Sequence, residues 1–179
     1  MASGKVHARV SRKLSWGMFI AGMVGSLGNP LAGFFAWLGC RMGIYLTPDQ
    51  DVNHRTYIEL KLIHHRNPLV RLFGRLSYIY WLPYAWIIPH RSILSHGIII
   101  GTLIRVVYTF WWLILLYLSY LHALWQTGID IFRHEVYTYH VPVLTLLVWW
   151  LTGLVVSDVG HWYYDTKFVR FFLRRQHDR

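Results

Sequence analysis

The stretch Pro89-His90-Arg91-Ser92-Ile93-Leu94-Ser95-His96-Gly97 sets two histidines six positions apart, where a basic segment gives way to a long apolar one. Neutral imidazole is a common metal ligand, yet two histidines alone fit a hydrogen-bonded core at least as well. Other groups change the balance. His161 and Asp165 are four apart, so on a helix they share a face and can point at one ion. Asp158 lies three before His161 and can join that face, as a ligand or as an acceptor for the imidazole N–H. Asp49 and Asp51 flank a single residue in Tyr45-Leu46-Thr47-Pro48-Asp49-Gln50-Asp51, a stretch that Pro48 and its carboxylates mark as a loop. His7 stands just before the first apolar run. Singly, each has an ordinary explanation: a structural hydrogen bond, a solvated turn or a surface imidazole.

Their sum is more specific. His7, Asp49, Asp51, His90, His96, His161 and Asp165 form an oxygen-and-nitrogen donor set suited to Zn²⁺, Mn²⁺ or Fe²⁺. Seven ligands exceed what one tetrahedral ion needs, so two divalent ions bridged by a carboxylate are the natural arrangement. Such a pair activates water and clamps a phosphate or similar oxyanion, with Arg91 beside His90 able to supply charge for that anion. Cys40 is the only cysteine, which rules out an intrachain disulfide and a thiolate zinc cluster.

The elements that must position these groups are apolar. Of 179 residues, 55% are hydrophobic and 17% aromatic, with ten Trp and twelve Tyr, while 15% are charged. That balance points to a membrane rather than a soluble domain. Net charge is +10, but the basic residues flank apolar runs instead of forming a stripe, which favours an anionic leaflet over nucleic acid.

In chain order, a basic start carrying His7 leads into an apolar run from Leu14 to about Cys40, interrupted at Asn29-Pro30. Proline breaks the helical ladder, so the run reads as two helices of about 14 residues, each short of the roughly 20 a span needs. Gly22, Gly25 and Gly28 would let them pack closely. A signal peptide shares this texture, but no small-x-small cleavage site follows, and cleavage would discard His7. Residues 41–91 read as basic interfacial helices, Tyr57–Ile63 and Leu69–Trp81, broken by Asn67-Pro68 and Pro83.

Two transmembrane helices are expected at about 97–125 and 141–157, joined by a polar loop at 126–140 and followed by a basic tail at 158–179. Arg105 would sit at a span end and reach the headgroups. Gly97 and Gly101 would let another helix approach. The positive-inside rule puts both termini and the 41–91 segment in the cytoplasm and the loop 126–140 outside. An antiparallel hairpin then brings His90 and His96 beside His161 and Asp165. His54, His64 and His65 read as a solvated basic face; His122, His134 and His140 fall on the opposite side of the membrane. The expected fold is thus an all-α integral membrane bundle, one domain over residues 1–179, with a transmembrane hairpin and cytoplasmic-side helices carrying a His/Asp metal site.

Gly4-x-x-His7, Tyr45–Asp51, Pro89–Gly97 and His161-x-x-x-Asp165, taken in order, resemble an uncharacterised family of bacterial metal-binding proteins. That family is in turn similar to LexA-regulated, membrane-bound metal-dependent hydrolases. The resemblance covers most of the chain. It implies a metal site at the matching His and Asp positions and a bacterial inner-membrane location, with hydrolysis as the inferred activity. Gln50 departs from the aliphatic residue expected between the two aspartates. Lipid phosphatases of the phosphatidate type also carry His-x-x-x-Asp, but their upstream Ser-Arg and Lys-then-Arg-Pro elements are missing here. The expected activity is hydrolysis of a phosphate ester or other anionic substrate, lipid-linked or phosphorylated, with membrane lipids as partners and no nucleic acid. The rival is a non-catalytic protein whose ions staple the helices together. Transport is disfavoured, because two spans offer no pore without oligomerisation.

Overall fold

The computed structural model describes residues 4–52, 54–90, 92–126 and 141–177, and among these there are only helices and turns. The helices are α1 Gly4–Gly25, α2 Pro30–Met42, α3 Tyr57–Ile63, α4 Pro68–Ile87, α5 Ile93–His96, α6 Ile100–Gln126 and α7 Val141–His177, with a 3₁₀ turn at Pro48–Asp51. Arg91 and the segment 127–140, including His134 and His140, lie outside the described residues.

Both Asn-Pro pairs start helices. Asn29 accepts a hydrogen bond from the Leu31 N–H (3.0 Å) and Asn67 from the Leu69 N–H (2.8 Å), each with proline in the first turn, where its missing N–H costs nothing. Thr56 and Glu59 close a capping box on α3: the Glu59 carboxylate accepts from the Thr56 N–H at 2.8 Å, and Thr56 Oγ1 from the Glu59 N–H at 3.4 Å.

Three boundaries differ from expectation. The first helix begins at Gly4, not near Leu14, because nothing in the basic segment interrupts a helix and Ala8, Ser11 and Ser15 are buried. His7 is therefore held on a helix. α4 runs through Pro83 to Ile87. Interior proline usually costs about 3 kcal/mol, but Trp81 and Tyr84 on either side of it are buried in the core, and that packing keeps the helix intact. Finally, α7 continues without a break from Val141 to His177. Asp158, His161 and Asp165 thus share one rod with the apolar segment that precedes them.

α7 packs chiefly along α2 and α1, which lie antiparallel to each other. It touches α6 where Phe110 meets the Trp150 ring and where Arg105 meets Asp158. The α2–α7 crossing is built on two glycines that face the partner backbone: a methyl on Gly39 would overlap the Trp150 carbonyl, and one on Gly153 the Ala36 carbonyl. Gly97 and Gly101 do not receive a separate helix. They face the backbone of α5, so the turn at 97–99 can fold α5 tightly against the start of α6. The main core cluster is Leu46, Trp81, Tyr84, Trp150 and Leu154, and a second holds Met18, Ala36 and Cys40. Burial pushes the Cys40 thiol up to about 12, so it stays uncharged and inert near neutral pH.

Segments Ile100–Ala123 and Val143–Thr166 are each 24 residues long and apolar enough to cross a membrane. Their outer faces carry Trp111, Trp112 and Leu116 on α6 and Leu144 and Val148 on α7, all exposed.

The two kinds of glycine make opposite predictions. Gly153→Ala is expected to destabilise the purified protein by about 1–3 kcal/mol through overpacking. Gly17→Ala, on an exposed helix face with open space around it, should stabilise by roughly 0.5–1 kcal/mol. Denaturant unfolding checks both, and equal stability of Gly153→Ala and wild type would contradict the α2–α7 crossing.

Candidate metal centre

Four elements deliver the polar groups: α1 brings His7, the 3₁₀ turn brings Asp49 and Asp51, α7 brings His161 and Asp165, and the segment through α5 brings His90 and His96. Gly4 explains the first delivery. A methyl there would press on Tyr57 Cβ at 2.6 Å, so only glycine lets the start of α1 come this close to α3.

His7 and His161 stack ring on ring, centroids 3.6 Å apart and 14° from parallel. His7 Nε2 lies 3.1 Å from Asp165 Oδ1, and His161 Nε2 lies 3.4 Å from both Asp165 Oδ2 and Asp49 Oδ1. Asp51, with its side chain fully buried, spans two histidines: Oδ1 is 2.7 Å from His90 Nδ1 and Oδ2 is 3.3 Å from His96 Nδ1. His96 Nδ1 also meets Ser95 Oγ at 3.0 Å, and Thr47 Oγ1 lies 3.5 Å from His161 Nδ1. Potential ligand atoms fall into two groups, each within 4.8 Å: His7, His161 and Asp165, and Asp49, His96 and His161. His161 belongs to both.

Two observations test whether a cation fits. His7 Nδ1, His96 Nε2 and His161 Nε2 are buried without a hydrogen-bond partner. Buried imidazole nitrogens seldom go unused, and one ligand atom from each of His96 and His161 lies within 4.8 Å of an Asp49 carboxylate oxygen. The separations also match: adjacent ligands on a tetrahedron with bonds of about 2.0–2.1 Å stand about 3.3 Å apart. Those around His161 Nε2 are 3.4 Å, longer than a good hydrogen bond. Beside them a slot of about 20 Å³, lined by His7, Thr47, Asp49 and His161, has room for one water-sized or ion-sized occupant. The residues fit a divalent cation.

His90 and Asp51 fall outside both groups. Asp51 is placed as the carboxylate that orients His90 and His96 through their Nδ1 atoms, leaving His96 Nε2 directed elsewhere. For Asp49, burial favours the neutral acid, but the close approach of His161 and the positive potential of His161 and His7 outweigh it. They hold the carboxyl below the usual carboxylate range.

Asp158 does not reach His161 as an acceptor. It is buried against Arg105, which is 1% exposed and donates to Asp158 Oδ2, as does Thr102 Oγ1. Arg105 therefore does not extend to the headgroups as expected from its place near a span end. A carboxylate on α7 and the backbone carbonyl of Ser95 take its guanidinium inward. No spacing rule could find a pair 53 residues apart. Gln50 is buried and its amide donates to the Tyr45 carbonyl at 3.0 Å, so a polar side chain is satisfied where an aliphatic one was expected.

Sequence reasoning also missed Arg55. A pocket of about 230 Å³ with a mixed lining opens over His7, Asp49, His90 and Asp165, and Arg55 and His54 also line it. The Arg55 guanidinium lies over the Tyr78 ring at 5.3 Å, which steadies it. Its only sequence signal is its place four residues after Asp51. His64 and His65 are exposed, as expected of a solvated face.

Fold and site together define an all-helical protein with a His/Asp metal-binding centre. The chain belongs to the family described as Uncharacterized metal-binding protein (DUF2227), whose model matches residues 2–174. No curated protein and no solved structure matches the chain.

Arg105→Met alone leaves the Asp158 carboxylate buried and uncompensated, and is expected to cost about 3–5 kcal/mol. The double change Arg105→Met with Asp158→Leu should recover most of that. Unfolding of the single and double variants checks it; additive losses would mean the two side chains act separately.

Proposed function

We propose that the chain is an integral membrane, metal-dependent hydrolase that acts on a phosphate ester or other anionic substrate at the cytoplasmic membrane face. The observation that carries this reading is the pocket of about 230 Å³ over the donor cluster, with Arg55 among the residues that line it. A site serving only to staple helices would be closed and saturated, whereas a catalytic one keeps an open position.

His7, Asp49, His96, His161 and Asp165 would hold the ions, Zn²⁺ or Mn²⁺/Fe²⁺, with His161 between the two groups and His90 and Asp51 completing the set. Bound divalent ions supply Lewis acidity to a phosphoryl oxygen and lower the pKa of water. The chain's own residues do the rest. Asp51 fixes the His90 and His96 rings, and Thr47 Oγ1 lies beside His161 Nδ1. Arg55, and Arg91 next to His90, bind and orient the anion. His7 Nε2 and Asp165 Oδ1, 3.1 Å apart, hold each other in place beside the pocket.

The membrane location is supported by the two long apolar helices and their exposed Trp and Leu faces. The orientation is supported by the basic residues of the N-terminus, 41–91 and the tail.

Metal analysis of detergent-purified protein tests the centre. Wild type is expected to retain about two divalent ions, while Asp49→Asn and His161→Ala lose them; metal content equal across all three would mean the site does not exist. His90→Ala and Asp51→Asn should lower affinity by roughly 10–100-fold. On a panel of phosphoesters with Mn²⁺ or Zn²⁺, Arg55→Ala is expected to raise KM more than it lowers kcat. A panel silent with every divalent ion would leave the non-catalytic reading in its place. A reporter fused in the loop 127–140 should signal from outside the cytoplasm.

A further inference from the structure

A second hollow lies on the other side of the same wall. The end of α2, the 3₁₀ turn, α3, α4 and α6 enclose an open cavity of about 1030 Å³ with an almost wholly apolar lining. Its size is that of a ligand site, and Leu69, Phe73 and Leu76 line it while remaining more than half exposed. It is open on one side, and water held there would find few partners.

Its few polar groups are informative. Gln50 is already engaged with the Tyr45 carbonyl. Glu59 is 2% exposed, and one carboxylate oxygen caps α3, but Oε1 is buried in the cavity wall with no partner. An unmatched acceptor there asks for a ligand donor such as a hydroxyl.

The chain ties this cavity to the metal centre. Asp49 faces the pocket over the donor cluster and Gln50, the next residue, faces the apolar cavity. Arg55, Thr56 and Tyr57 line that pocket, and Ile58, Glu59 and Leu62 the apolar cavity. Thr109 and Phe110 of α6, a helix apolar enough to span a membrane, form the far wall. A chain lying in the cavity would therefore have its head at Arg55–Glu59, beside the donor cluster.

We propose that this cavity binds the acyl chain of a monoacyl glycerophospholipid from the membrane, with its free glycerol hydroxyl on Glu59 and the anionic head toward Arg55. That the lipid is also the hydrolase's substrate rests on the function proposed above; binding of the chain does not.

The probe is 1-palmitoyl-type glycerophosphate with a diazirine in its acyl chain, applied to detergent-purified, metal-loaded protein and mapped by mass spectrometry. Saturable labelling of α3 and α4 is expected, competed by unlabelled long-chain but not octanoyl glycerophosphate. Val70→Trp and Ser77→Trp, each filling the cavity from a different position, should abolish it while metal content is unchanged. Glu59→Ala is expected to weaken the hydroxyl probe about fivefold, the worth of one hydrogen bond, and to leave its methyl-ether analogue unaffected.

Labelling that does not saturate, spreads over the exposed face of α6 and ignores both tryptophans would overturn the proposal. Saturable labelling in a protein without phosphoesterase activity would uphold the lipid site and remove only its link to hydrolysis. Hydrolysis of soluble phosphoesters without saturable labelling would keep the enzyme and discard the lipid site.

Discussion

Arg105 and Asp158 place opposite charges inside an apolar bundle, and neither is tolerable there without the other. Their pairing ties α6 to α7, the two longest helices, at a point where little else joins them. The second arm of the guanidinium holds the Ser95 carbonyl, so the same residue secures α5. His96, next to Ser95, is thereby fixed relative to His161, one turn beyond Asp158. A single buried ion pair thus sets the distance between two candidate ligands that come from separate helices.

The rest of the centre depends on close backbone approach. Gly39 and Gly153 bring α2 against α7, and Gly4 brings α1 against α3. Together they carry His7 to a stacking distance from His161 and the 3₁₀ turn to within reach of both. Larger residues would move each element outward by about the width of a methyl group. At a metal centre, where bonds hold to about 0.2 Å, that is too far.

The 3₁₀ turn divides two environments. Asp49 and Asp51 are directed to imidazoles, while Gln50 between them faces the large apolar hollow. With 3.0 residues per turn, the 3₁₀ segment turns consecutive side chains to different neighbours within a short stretch. It places the pocket over His7, Asp49, His90 and Asp165 back to back with an apolar cavity.

What the sequence determined by itself is local. The four-residue spacing of His161 and Asp165 places them on one helical face whatever the fold, and Pro48 with its flanking carboxylates makes a turn. Both Asn-Pro pairs mark helix starts, and the apolar runs are helices long enough to be α6 and α7. Tertiary structure alone decided the partners. Arg105 near the head of an apolar helix looks like a headgroup contact, and only α7 lying across it turns the side chain inward to Asp158. Pro83 ends a helix by local rules, and only the burial of Trp81 and Tyr84 carries α4 through it. Asp51 and Asp49 are alike in sequence, and only packing set one to orient two histidines and the other beside His161. Arg55 has no motif at all. Local rules act over a few residues, but a site's chemistry is made by groups tens of residues apart, and which of them meet is a property of the packed chain.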